Sequence, residues 1–117
     1  MAGRLSILIA EDSAADRMLL STIVSRQGHR VLTAGNGLEA VGLFEQERPQ
    51  LVLMDIILPL FNGFHWCTEI RKIAKTPIVF LSSASDNMNI VMAMNMGGDD
   101  FIEKPFDLNV VTAKVQA

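Results

Sequence analysis

The sequence has one cysteine, one tryptophan, no tyrosine, four prolines and two histidines. A single thiol, Cys67, excludes an intramolecular disulfide framework and any CxxC metal or redox pair; on a helix it reads as a small apolar group. His29 precedes a strand and His65 lies in a helix, away from ligand spacing, so both read as solvated or hydrogen-bonded surface residues. Trp66 reads as packing. No apolar run approaches the roughly 20 residues that span a bilayer, and the N-terminus has neither a basic region nor a cleavage-site pattern. The expectation is a soluble, cytoplasmic protein without membrane contact. Basic residues are few and scattered: 10 Lys and Arg against 13 Asp and Glu give a net charge of −3 and a pI near 5.2. Direct nucleic-acid binding by this chain is therefore not expected.

Apolar residues make up 50% of the 117, and the mean hydropathy is +0.30. That suffices for one well-packed domain and is too short for two. Apolar β-branched runs at 5–10, 30–34, 51–55, 77–82 and 100–103 alternate with amphipathic stretches at 14–27, 37–47, 63–73, 87–96 and 107–117. This alternation predicts an α/β sandwich around a parallel sheet. The nearly continuous apolar strands 1, 3 and 4 are expected at its centre, and strand 2, with Arg30 and Thr33, at an edge. Ser13 and Asn36 are good N-caps, Gly28 and Gly97-Gly98 are helix stops, and the LPLFNG stretch after Asp55 reads as a loop.

Polar residues stand where the apolar runs end: Glu11 and Asp12, Asp55, Ser82 and Lys104. In an open parallel sheet such positions converge, because ligands bind beyond the carboxyl ends of the strands. Three carboxylates, a hydroxyl and an ammonium together suit Mg²⁺ and a phosphoryl group. Asp55 can attack phosphorus if a divalent cation and fixed positive charge offset the repulsion between anions. Glu11, Asp12 and Asp55 offer hard oxygen ligands for that cation. Lys104 can pair with Asp55 before reaction and with phosphoryl oxygens after it, and Ser82 can donate a hydrogen bond. Taken singly, Ser82 and Glu11 fit ordinary loop or cap positions equally well. The coincidence of suitable types at four strand ends favours a site.

These motifs, Glu11-Asp12, Asp55-Ile-Ile-Leu-Pro59 to Gly63, Leu81-Ser82 and Asp99 to Phe106, resemble the receiver domain of bacterial two-component response regulators along the whole chain. The resemblance implies a flavodoxin-like three-layer sandwich with strand order 2-1-3-4-5, spanning residues 1–117 as one receiver domain. It implies Asp55 as phosphoacceptor, Mg²⁺ on Asp12, Asp55 and the Ile57 backbone carbonyl with Glu11 acting through water, Ser82 and Lys104 on the phosphoryl group, and Phe101 as aromatic switch with Ser82. It also implies a cis Lys104-Pro105 peptide and a sensor histidine kinase as partner. A half-buried core aromatic fits Phe101 equally well.

In MNIVMAMNM, from Met88 to Met96, seven of nine residues are apolar, more than one core-facing stripe needs. Flexible core filling and an interaction patch through Ile90 and Met94 weigh about evenly. Receivers commonly use helix 4, strand 5 and helix 5 as an output or homodimer face, which favours the patch. The last helix holds only about ten residues before the chain stops, short for a docked terminal helix, and sets the expectation of a truncated helix in a domain cut from a longer protein. From about Asp55 onward the chain resembles receivers of winged-helix transcription regulators, while the first half looks more like receivers with other outputs; a natural mosaic, divergence or a chimera would each produce this.

The expected function is a switch that takes a phosphoryl group onto Asp55 and changes partner binding, catalysing its own modification rather than turnover. Three rivals stay open. A phosphatase with an aspartyl nucleophile resembles others of its kind in a second Asp two residues on, where Ile57 stands. A flavin carrier would want a phosphate loop where Glu11-Asp12 repels phosphate. An inert scaffold would carry the site as a vestige.

Overall fold

The computed structural model describes residues 4–58, 62–83 and 98–116, and within them the apolar runs are strands. β1 (Ser6–Ala10), β2 (Arg30–Ala34), β3 (Leu51–Asp55), β4 (Ile78–Ser83) and β5 (Asp100–Lys104) form one parallel sheet in the order β2-β1-β3-β4-β5. Parallel neighbours need crossover connections. Those described are α1 (Ala14–Arg26), α2 (Gly37–Glu47) and α3 (Gly63–Arg71), and α4 (Leu108–Gln116) follows β5. α4 is the fifth helix of the sequence expectation. The expected fourth, over 87–96, lies outside the described residues together with Ile90 and Met94.

Successive side chains of a strand point to opposite faces, so continuous apolar strands build two cores. Ile7 and Ile9, Leu51 and Leu53, and Val79 and Leu81 join Leu20, Ile23 and Val24 of α1 and Val111 and Val115 of α4. Leu8 and Ala10, Val52 and Met54, and Ile78 and Phe80 join Phe44 of α2 and Phe64, Trp66, Cys67 and Ile70 of α3. The Phe64 and Phe80 rings meet edge to face with centroids 5.2 Å apart, an arrangement worth about 1 kcal/mol beyond area burial. β1, β3 and β4 are central as expected, and β2 is an edge strand with Arg30 and Thr33 exposed.

Each helix start is fixed by a short polar side chain. Ser13 Oγ accepts from the Asp16 N–H at 3.3 Å, Asn36 Oδ1 from Glu39 at 2.8 Å, and Asn62 Oδ1 from His65 at 3.1 Å. Such caps satisfy otherwise orphaned donors, each worth about 1 kcal/mol. They set α1 and α3 beginning close beyond the carboxyl ends of β1 and β3. Gly28 takes the left-handed φ of +88° just past α1, the conformation for which glycine is suited. His29 is hydrogen-bonded, its Nδ1 accepting from the Leu5 N–H at 3.0 Å. Among the described residues no helix is long and apolar enough to cross a membrane.

Candidate functional site

β1, β3, β4 and β5 run in one direction, so the residues that end them share one edge of the sheet. Glu11, Asp12 and Asp55 each bring a carboxylate oxygen there, all within 4.8 Å of one another. Lys104, the last residue of β5, places Nζ 2.9 Å from Asp55 Oδ2 and 2.9 Å from Glu11 Oε2. The contact with Asp55 is a hydrogen bond; Glu11 Oε2 is out of line for one, so its attraction to the ammonium is coulombic. Ser82 stands one residue past Leu81, the register partner of Asp55, and itself pairs with Glu103 beside Lys104. Its Oγ is buried without a hydrogen bond among the described residues, a hydroxyl with capacity to spare.

The fold holds the carboxylates from behind. Asp55 is 2% exposed, and its Oδ1 accepts from the Ile57 N–H at 3.0 Å. The Ile57 side chain points to solvent, so residue 57 serves this loop through its backbone. The loop is tied down on both sides: the Ile56 N–H donates to Leu81 O at 3.1 Å, and Ile56 O accepts from the Gly63 N–H at 2.7 Å. A Cβ at Gly63 would run into the Asp55 carbonyl oxygen, so only glycine fits where α3 begins. Glu11 is fully buried; its Oε1 accepts from the Ser13 N–H at 3.0 Å, and its carbonyl from Arg17 Nη1 at 2.7 Å. Asp12 is exposed, at the solvent side of the cluster.

Two buried carboxylates around one ammonium perturb each other. Burial, and then the neighbouring Asp55 carboxylate, push Glu11 up from 4.5 to about 7, against the Ser13 N–H and Lys104, which pull it down. Burial alone would lower Lys104, but the hydrogen bond to Asp55 and the negative charge of Asp55 and Glu11 outweigh it and hold the ammonium above its ordinary pKa. The described pocket thus has an excess of negative oxygen donors over its one cation, a donor set that fits a hard divalent ion such as Mg²⁺.

Every expected site residue among those described lies at this edge except Phe101. Phe101 is half-buried on β5 opposite Phe80, packs against the core beneath α2 and α3, and carries Lys114 Nζ 4.9 Å from its ring centroid. The Lys104-Pro105 peptide is cis, as expected. Sequence reasoning missed Asp16, whose Oδ2 lies 3.5 Å from Lys104 Nζ, and the supports Arg17 and Gly63. An acidic and a basic residue in the first turn after the Glu11-Asp12 pair were the available signal.

The chain belongs to the response regulator receiver domain family, whose model matches residues 7–116. The transcriptional regulatory protein YxdJ of Bacillus subtilis is 40% identical over 111 residues, covering 95% of this chain and 48% of that protein. The sensory transduction protein BceR of Halalkalibacterium halodurans is 42% identical over 114 residues, again 95% and 48% of the two chains. This chain spans about half the length of the curated relatives it matches. Among solved structures, the N-terminal domain of the nisin resistance regulator NsrR, a lantibiotic response regulator, superposes with a TM-score of 0.84 at 45% identity, covering 94% of this chain and 93% of that one. A two-component response regulator from Clostridium difficile gives 0.91 at 30% identity, with 97% and 93% covered. Receiver domains are phosphorylation-dependent switches that bind Mg²⁺ at an acidic pocket and are phosphorylated by histidine kinases, and Glu11, Asp12 and Asp55 form an acidic cluster here that could hold a metal ion. Relatives are named as transcriptional regulators, not turnover enzymes.

Proposed function

We propose that Asp55 is the phosphoacceptor, taking a phosphoryl group from a sensor histidine kinase and later losing it to water. The observation that carries this reading is the setting of Asp55: a buried carboxylate with one oxygen on the Ile57 N–H and the other 2.9 Å from Lys104. An Asp55 oxygen forms the new P–O bond while the donor's P–N bond breaks, and the electron pair leaves on the imidazole nitrogen. Asp12 and Asp55, the Ile57 carbonyl and, through water, Glu11 hold Mg²⁺. Bound there, the ion offsets the charge of the carboxylates and of the transferred group. Lys104 moves from Asp55 to a phosphoryl oxygen, and Ser82 turns its spare hydroxyl to another.

Drawing Ser82 inward frees room for Phe101 on the adjacent strand, so the chemistry biases a two-state packing element. In this reading residues 1–117 act in the cytoplasm as one receiver domain of a longer regulator, and the switch is read out by a partner or by a second copy through 87–96, β5 and α4, with Ile90 and Met94 in the contact. The test is intact mass after incubation with phosphoramidate and Mg²⁺. One phosphate adduct is expected in the wild type and none in Asp55→Asn; an adduct that survives in Asp55→Asn places the chemistry elsewhere.

A further inference from the structure

Lys104 carries one positive charge and faces three carboxylates, of which Asp55 and Glu11 are buried in the acidic pocket and Asp16 is not. Asp16 comes from the first turn of α1, its side chain is 36% exposed, and its Oδ2 lies 3.5 Å from Nζ. Its backbone is tied to the acidic loop, while its carboxylate is held by the ion pair. Its own N–H is capped by Ser13 Oγ, and the Ser13 N–H bonds Glu11 Oε1, so Asp16 is joined to the acidic loop through two hydrogen bonds. The contact spans α1 and β5, placing a negative charge on the outer side of the one cation that, among the described residues, pairs with Asp55.

We propose that Asp16 is a positioning residue for phosphoryl transfer: it shares the Lys104 ammonium at the mouth of the site and weakens its hold on an incoming phosphoryl group. The inference rests on the reading of Asp55 as phosphoacceptor and Lys104 as its phosphoryl contact. A cation bound among Glu11, Asp12 and Asp55 offsets two of the charges that draw Lys104 inward, and Asp16, farther out, keeps its pull. The ammonium then divides its charge between Asp16 and the phosphoryl oxygens. The Asp16 carboxylate stands one ammonium away from an anionic donor and repels it. Because Asp16 is part-exposed, the repulsion is screened, and salt weakens it further.

The test measures the phosphorylation rate of the full chain per unit phosphoramidate, with Mg²⁺, by intact mass. Asp16→Asn removes the charge while keeping the shape, and is expected to raise the rate on the order of three- to tenfold at low salt, a gain that shrinks as salt rises. Asp16→Ser, a second neutral replacement, is expected to match it, and Asp16→Glu, which restores the charge, to return to the wild-type rate. A rate unchanged in both neutral variants overturns the inference, leaving Asp16–Lys104 as one of the many surface pairs without measurable effect. So does a gain that persists in Asp16→Glu and at high salt, since that is a structural effect. If the wild type takes no adduct, or Asp55→Asn takes the same one, the reading of the site fails and this inference with it, a result distinct from the other two.

Discussion

Glu11 is fully buried and shares the Lys104 ammonium with Asp55, so one cation serves two carboxylates shut away from water. The consequence is a dependence of stability on pH. Glu11 titrates at about 7 in the fold against 4.5 as an unperturbed group, so folding favours its protonated form. The stabilisation this gives is full below about pH 4.5 and is lost as pH rises through about 7. Urea melts of the metal-free protein are expected to lose on the order of 1–3 kcal/mol across that window, and Glu11→Gln to flatten the slope. Equal slopes in wild type and Glu11→Gln would remove Glu11 as its source. At this scale the site was largely legible. Glu11, Asp12, Asp55, Ser82 and Lys104 each end an apolar run, where a polar residue stands out. Asp16 stayed hidden because, inside an amphipathic helix, an aspartate reads as solvated; its partner is decided by how α1 lies against β5.

Element boundaries were legible where a side chain itself fixes the backbone: the Ser13 and Asn36 caps and the Gly28 stop lie where the sequence places them. α3 ends at Arg71, two residues before the expected 73. Lys72 and Ile73 instead donate three residues back, to Glu69 and Ile70, tightening the last turn. Arg71 then reaches forward, giving Nη1 to Thr76 O at 2.6 Å and Nη2 to Asp99 Oδ2 at 2.9 Å, contacts that no periodicity announces. The start of α3 matters more for the site. Gly63 rests against the Asp55 carbonyl, and its N–H bonds Ile56. In Gly63→Ala the methyl group must push α3 away from the end of β3, at a cost of about 1–3 kcal/mol. Denaturant melts should show that loss, and phosphoramidate labelling should show slower adduct formation even at temperatures where the variant is folded. Wild-type stability in Gly63→Ala would mean that the loop yields without strain.

For the whole molecule, the alternation of strand and helix and the continuous apolar runs made the parallel sheet, its central β1, β3 and β4 and its β2 edge legible, since continuous apolar strands need cover on both faces, while the full strand order was what the family resemblance implied. The interaction face expected over 87–96 depends on tertiary packing outside the described residues. The site also couples to global stability. A cation that binds Glu11, Asp12 and Asp55 only when the fold brings them within 4.8 Å stabilises the native state by mass action, about 2.7 kcal/mol at a hundred times its Kd. Thermal midpoints are expected to rise by several degrees in saturating Mg²⁺ and to stay put in Asp12→Ala; an equal rise in that variant would mark the effect as nonspecific.

α2 begins at Gly37 directly against the indole of Trp66, which leaves no space there for a side chain. Trp66 is 9% exposed and stands one turn into α3, three residues past the glycine that touches Asp55. The chain has no other tryptophan and no tyrosine. When the protein is excited at wavelengths that phenylalanine does not absorb, its emission therefore comes from a single fluorophore seated on the helix whose first residue abuts Asp55, an optical gauge of that helix that needs no dye.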